Sequence, residues 1–175
     1  MAKYLLTGAA GFIGARTAEF LLNDGHEVVG IDNLNTAYDV RLKKHRLAKL
    51  QERDGFQFHK IDISNKESVE SLSASVNGAD AIINLAAWAG VRDSLLDPWV
   101  YVETNTTGTL NLLELAHKNE IPKFVLASTS SIYGANAPIP TPETADSSKP
   151  LQAYAASKKG AEALCHAYHH LYGTD

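Results

Sequence analysis

Near the end of the chain a tyrosine and a lysine stand four residues apart, in YAASK at Tyr154 to Lys158. Near its beginning three glycines, Gly8, Gly11 and Gly14, punctuate TGAAGFIG. On a helix the first pair shares a face. A free phenol, ionising near ~10, is a poor base at neutral pH, but a cation a few ångströms away lowers that value by about 1–3 and makes a phenolate accessible. Such a pair would move a proton at a substrate hydroxyl, and the ammonium would also reach a ribose hydroxyl of a bound cofactor. Taken alone, Tyr-x-x-x-Lys is equally what an ordinary exposed helix carries. The glycines suit a tight turn, close backbone approach to a pyrophosphate and packing of helix on strand, with the helix N-terminal amides meeting the negative charge.

Further residues fall where that chemistry needs them. Asp32 closes the second strand pattern, 18 residues after Gly14. It suits the two hydroxyls of an adenosine ribose and would repel a 2′-phosphate, which favours NAD over NADP. A glycine turn with a helix-flanking acid is the simpler alternative. Asp62 ends the third strand at the same edge and would meet the adenine, unless it is an ordinary turn residue. Asn84 to Ala87, NLAA, ends the fourth strand in small side chains that allow a flat cofactor to pass closely; plain packing gives the same pattern. ASTSSIYG, Ala127 to Gly134, leaves the fifth strand with four serine or threonine hydroxyls. One of them would hydrogen-bond the reacting oxygen beside Tyr154.

These positions are held by alternating short apolar runs and longer helical ones, the pattern of parallel βαβ units. Strands are expected at Lys3–Thr7, Glu27–Asp32, Gln57–Asp62, Ala81–Leu85 and Lys123–Ala127. Helices are expected at Phe12–Asp24, Asp39–Arg53, Lys66–Val76, Trp99–Asn119 and Gln152–Tyr172. The fold class is therefore α/β, a doubly wound parallel sheet with helices on both faces. The stretch Ala137 to Pro150 contains four prolines among polar residues and reads as a surface loop at the ligand-binding edge.

Composition excludes several classes of function. The chain has 175 residues, 45% of them apolar and 21% charged, with a net charge of −4. That is enough for one domain with a real core, and it is neither disordered nor collagen-like. The one basic run, Arg41 to Leu50, has leucines at 42, 47 and 50 and reads as a solvated amphipathic helix rather than a nucleic-acid patch. No apolar stretch reaches the ~18 residues that span a membrane, and no signal peptide opens the chain. A single cysteine, Cys165, permits no internal disulfide and reads as a buried structural thiol, so a cytoplasmic setting is expected. His166 and His170 share a helix face, but no carboxylate at ligand spacing joins them, so no metal is expected.

TGAAGFIG, GIDNLN, NLAAWAGVRDSLLDP, NTTGTLNLLE, STSSIYG and YAASKKGAE follow one another in an order that resembles the extended short-chain dehydrogenase/reductases, specifically their NAD-dependent nucleotide-sugar epimerases and dehydratases. Within that family the stretch from Asp32 to Leu50, with AGVR and SIYG, is most similar to the UDP-glucuronate 4-epimerases. The resemblance implies that Gly8, Gly11, Phe12, Ile13 and Gly14 bind the pyrophosphate of NAD. It assigns Asp32, Asn33 and Asn35 to the adenosine ribose, Asp62 and Ile63 to the adenine, and Leu85, Ala86, Ala87 and Asn105 to the nicotinamide half. Tyr154 would be the acid/base, Lys158 its partner and a ribose ligand, and Thr129 the hydroxyl sharing the substrate's O4. Ser130, Ser131 and Arg92 would meet a UDP-sugar. The activity implied is reversible oxidation at C4 through a 4-keto sugar, turning UDP-glucuronate into UDP-galacturonate, with a homodimer as the assembly.

Asn84, where the family usually has histidine, and Trp88, where these epimerases often have glutamine, depart from the pattern near the cofactor. The acidic pair that 4,6-dehydratases place after the catalytic threonine is here Ser130 and Ser131, which disfavours dehydration. Family members run on for roughly as many residues again, so residues 1–175 are expected to be the NAD-binding part of a longer enzyme. A non-catalytic NAD-binding module is the rival from another class.

Overall fold

The computed structural model describes residues 1–175. Five strands, β1 (Lys3–Thr7), β2 (Glu27–Asp32), β3 (Phe56–Lys60), β4 (Ala81–Asn84) and β5 (Lys123–Leu126), form one sheet in the order β3-β2-β1-β4-β5. Every pairing is parallel. Chain direction across the sheet therefore reverses beside β1, and the crevice at that switch point faces the carboxyl ends of the strands.

Both faces of the sheet are covered, so neighbouring strand residues are apolar together and point to opposite cores. Leu6 and Val28 face Ala15, Ala18 and Leu22 of α1 (Phe12–Asn23) and Leu50 of α2 (Val40–Gln51). Leu5, Val29, Ile31 and Ile82 face Val69 of α3 (Lys66–Glu70), Val76 of α4 (Ser73–Val76), and Leu112, Leu115 and Ala116 of α6 (Gly108–Lys118). The short α5 (Pro98–Tyr101) runs through a π-helical turn at Val102–Thr107 into α6, and α7 (Ala153–Tyr172) packs against that turn. At the far edge Asp175 bridges β5 in parallel fashion, its amide donating to Pro122 O and its carbonyl accepting from Phe124 N.

Three expectations need correction. The helix expected over Lys66–Val76 is two pieces: the hydroxyls of Ser71 and Ser73 donate to Ser68 O and Glu70 O, drawing carbonyls away from the helical ladder. The third strand is displaced to Phe56–Lys60, because the Asp62 carboxylate accepts from the Ser64 amide and hydroxyl and turns the chain out of the sheet. On α2 the inward stripe is Lys43, Leu47 and Leu50, at helical spacings of four and three, so Leu42 is half exposed and Lys43 is buried in its place.

Candidate active site

The turn after β1 is built for a phosphate. Gly8 has φ +67°, which glycine adopts without strain, and its carbonyl accepts from the Gly11 amide at 2.9 Å. A Cβ on Gly14 would lie 2.1 Å from Gly8 O, so only glycine lets α1 seat this close to the turn. No side chain caps α1 at Gly11 and its first turn holds no acid. The first amides of α1 thus face the crevice edge with the positive end of the helix dipole.

Along the strand ends lies an open cleft of about 620 Å³. Gly8, Gly11, Asp32, Asn33, Asn35, Tyr38, Lys43, Asp62, Ile63 and the Leu85–Ala87 segment line it. Its polar wall is internally tied. Asp32, 6% exposed, accepts from the Leu34 amide at 2.8 Å, from the Ala10 amide at 3.3 Å and from Lys43 Nζ at 3.3 Å. Asn33 Nδ2 donates to Asp62 at 2.8 Å. Burial pushes the Asp62 carboxyl up, but the hydrogen bonds from Asn33 and Ser64 outweigh it and hold the group below its ordinary value. This end therefore offers carboxylate oxygens suited to a diol and an exocyclic amine.

Behind the cleft a chain of buried polar side chains joins β1 to α7. Thr7 Oγ1 accepts from the Ala86 amide at 2.9 Å and donates to Asn84 Oδ1 at 2.7 Å. Asn84 Nδ2 donates to Thr109 Oγ1 at 3.1 Å, and that hydroxyl donates to Asn105 O at 2.7 Å. The Asn105 amide bonds both backbone groups of Trp88, at 2.9 and 3.0 Å, and donates to Ser157 Oγ at 3.0 Å. Ser157 Oγ completes the series by donating to Tyr154 O at 2.8 Å.

Lys158 is 3% exposed, and its ammonium engages no ion pair or hydrogen bond of the chain. Burial pushes its pKa down, against the smaller pull of Cys165 and Glu162. Tyr154, one helical turn earlier, packs its ring edge-on against Tyr101, with centroids 6.1 Å apart. Thr129 caps the short turn Ser130–Tyr133, where its hydroxyl accepts from the Ser131 amide at 3.2 Å and keeps its own proton to donate. That turn packs on α7, and Thr129 and Ser130 line a second, polar cleft with Ser128, Tyr133, Thr141, Glu143 and Glu162.

Residues 4–175 match the model of the NAD dependent epimerase/dehydratase family. The chain belongs to that family. The UDP-glucuronate 4-epimerase of Thermodesulfobacterium geofontis is 54% identical over 175 residues, which is 100% of this chain and 54% of the relative. The Bacillus cereus UDP-glucuronic acid 4-epimerase, solved in complex with UDP-glucuronic acid and NAD, superposes with a TM-score of 0.86 at 37% identity, covering 98% of this chain and 53% of that one. The UDP-Glc/GlcNAc 4-epimerase of Campylobacter jejuni gives 0.90 at 29% identity, over 99% and 51%. The chain thus spans about half the length of the curated relatives it matches.

Set against this epimerase-type fold, the residues singled out from the sequence divide into groups. Gly8, Gly11, Asp32, Asn33, Asn35, Asp62, Ile63, Leu85, Ala86 and Ala87 meet in one cleft. Phe12 and Ile13 are exposed on the first turn of α1, and Gly14 is a packing residue beneath it. Asn105 lies behind the cleft rather than in its wall, because its amide is consumed by Trp88 and Ser157. Arg92 is exposed and lines neither cleft, and Ser131 lines neither. Cys165 is half-buried, and burial drives its thiol to about 11, so it is unreactive near neutrality. No group of three or more His, Cys, Asp or Glu side chains stands at metal-holding distances, and no helix is long and apolar enough to cross a membrane. Lys43, Tyr38, Thr7, Thr109 and Ser157 belong to the site and were missed; only Lys43 left a signal, its spacing from Leu47 and Leu50.

Proposed function

We propose that this chain is the cofactor-holding, proton-transferring half of an NAD-dependent UDP-glucuronate 4-epimerase. The observation that carries the reading is Lys158, whose side chain is buried almost to a solvent-touching ammonium that makes no hydrogen bond or ion pair, one helical turn from a tyrosine and joined through Ser157 to Asn105 behind the dinucleotide cleft. A lysine held with its stem buried and its ammonium uncommitted has that cation available to a ribose hydroxyl and a phenolate. The donor set fits NAD: uncapped amides of α1 for the pyrophosphate, Asp32 and Asn35 for the adenosine diol, Asp62 for the adenine, and apolar Leu85 with the small Ala86 and Ala87 along the nicotinamide half. When bound, NAD would supply reversible hydride acceptance at the sugar C4.

The chain's own residues do the rest. Thr129 donates a hydrogen bond to the sugar O4 and orients it, keeping its own proton. Tyr154, as phenolate, takes the O4 proton and gives it back on return. Lys158 holds the phenolate electrostatically and the ribose by hydrogen bonding. The names of the relatives support the choice of a UDP-hexuronic acid.

The test has two arms. Calorimetry of the purified chain is expected to detect NAD binding. In a chimera extended with the second half of the T. geofontis relative, Tyr154→Phe should lower UDP-glucuronate turnover by ~10²–10⁴ while leaving NAD affinity within about twofold, since only a positioned acid/base is lost. Near wild-type turnover of Y154F would remove Tyr154 from the reaction, and absence of NAD binding would remove the reading altogether.

A further inference from the structure

The adenosine end carries a cation that the charge pattern concealed. Lys43 occupies the inward stripe of α2 with Leu47 and Leu50, where an apolar side chain would ordinarily sit. It is 6% exposed and spends its ammonium on Asp32 Oδ1 at 3.3 Å and Asn35 Oδ1 at 2.8 Å, with the Tyr38 ring centroid 5.3 Å away. All four residues line the same cleft.

This changes the electrostatics of nucleotide selection. An isolated carboxylate at the end of β2 rejects a ribose 2′-phosphate by charge repulsion. Asp32 is not isolated: the buried Lys43 ammonium lies 3.3 Å from its Oδ1. The pair is net neutral, and its positive member is a compact donor of the kind that binds phosphate as a point charge. Resting on the NAD reading above, we propose that Lys43 is a specificity-determining residue of the cofactor cleft. Engaged by Asp32, it orients the carboxylate toward the ribose diol and selects NAD. Released from Asp32, it accepts a 2′-phosphate, so the dinucleotide preference belongs to the pair and not to the acid alone.

The experiment is a calorimetric titration of NAD and NADP into wild type, D32N, D32S, K43M and D32N/K43M, with circular dichroism melts to show that each is folded. Wild type is expected to prefer NAD. D32N and D32S should shift the NAD-to-NADP affinity ratio toward NADP by about 10–100-fold, the range of one charged hydrogen bond. The shift should vanish in D32N/K43M. K43M alone leaves the buried carboxylate unpaired and should widen the preference for NAD. If D32N/K43M binds NADP as well as D32N does, or K43M leaves the ratio of wild type unchanged, the proposal is wrong while the NAD reading stands. If folded wild type binds neither nucleotide, the NAD reading falls first and takes this proposal with it.

Discussion

Asn105 is where the structure makes its most exposed wager, because its amide is the only link between the Trp88 backbone and Ser157. Asn105→Ala deletes all three hydrogen bonds and leaves the Trp88 amide and carbonyl without partners in a part-buried site. At about 1 kcal/mol for each bond, the loss is about 3 kcal/mol. For a domain of this size, where about 1 kcal/mol shifts the melting temperature by ~2–4 °C, the midpoint should fall by about 6–12 °C. Asn105→Asp should do no better at neutral pH, since a carboxylate cannot donate to Trp88 O or to Ser157. Because Trp88 directly follows the Leu85–Ala87 wall, NAD affinity should drop by about tenfold, equivalent to ~1.4 kcal/mol. Thermal melts followed by circular dichroism and NAD calorimetry measure both. A melting temperature within 2 °C of wild type, taken as roughly the resolution of the assay, with unchanged NAD affinity, would show that the buried chain of side chains does not hold the cleft.

The other predictions concern single groups. Lys158→Met should melt higher than wild type at pH 7 and bind NAD about 10–100-fold more weakly, since a costly buried charge is removed together with a charged hydrogen bond to the ribose. The sign of its pH dependence follows from burial: the folded pKa lies below 10.5, so the penalty is full below the folded value, is relieved as pH rises toward 10.5, and the stability gap between variant and wild type closes over that window. Gly14→Ala places a methyl 2.1 Å from Gly8 O and should cost about 3 kcal/mol with loss of measurable NAD binding; a folded, NAD-competent variant would contradict the packing described here. Alkylation of Cys165 should be slow at pH 7 and accelerate toward about 11, and fast labelling at neutral pH would show the thiol to be more open than its burial indicates.

The sheet was legible because each strand's neighbours face opposite cores, so apolar runs such as Tyr4 to Leu6 and Val28 to Ile31 declare themselves. The cleft residues at strand ends were legible for the same reason: once the strands are located, Asp32, Asp62 and Ala86 must share an edge. What stayed hidden was burial of polar side chains inside elements. Thr7 is a single hydroxyl after an apolar run, while Thr109 and Ser157 stand among other polar residues, and nothing in their spacing distinguishes a hydrogen-bond relay from incidental composition. Lys43 was absorbed into a basic run in which Arg41, Lys44 and Lys49 are exposed as expected and Arg46 is half-buried. The π-helical turn that carries Asn105 has no signature of its own; in it the side chains of Asn105 and Thr106 donate to Trp88 O and Ser157 O, and Thr109 Oγ1 donates to Asn105 O. Arg92 entered through family resemblance alone, and no contact in the structure supports it.

The buried relay also gives the departing residue Asn84 a defined hydrogen-bonding role. Each hydroxyl in it donates once and accepts once: Thr7 between Ala86 and Asn84, Thr109 between Asn84 and Asn105, Ser157 between Asn105 and Tyr154. Such a directional chain needs, at position 84, one acceptor toward β1 and one donor toward α6 at short range, and a side-chain amide supplies both from a single planar group. Three members are also sequence neighbours of a cleft or proton-transfer residue: Thr7 of Gly8, Asn84 of Leu85, Ser157 of Lys158. A fully satisfied buried network resists displacement because each broken bond orphans a polar group in low dielectric. It thereby fixes the unpartnered Lys158 ammonium relative to the dinucleotide cleft without touching the ammonium itself, leaving the cation free for the ribose and the phenolate it is proposed to serve.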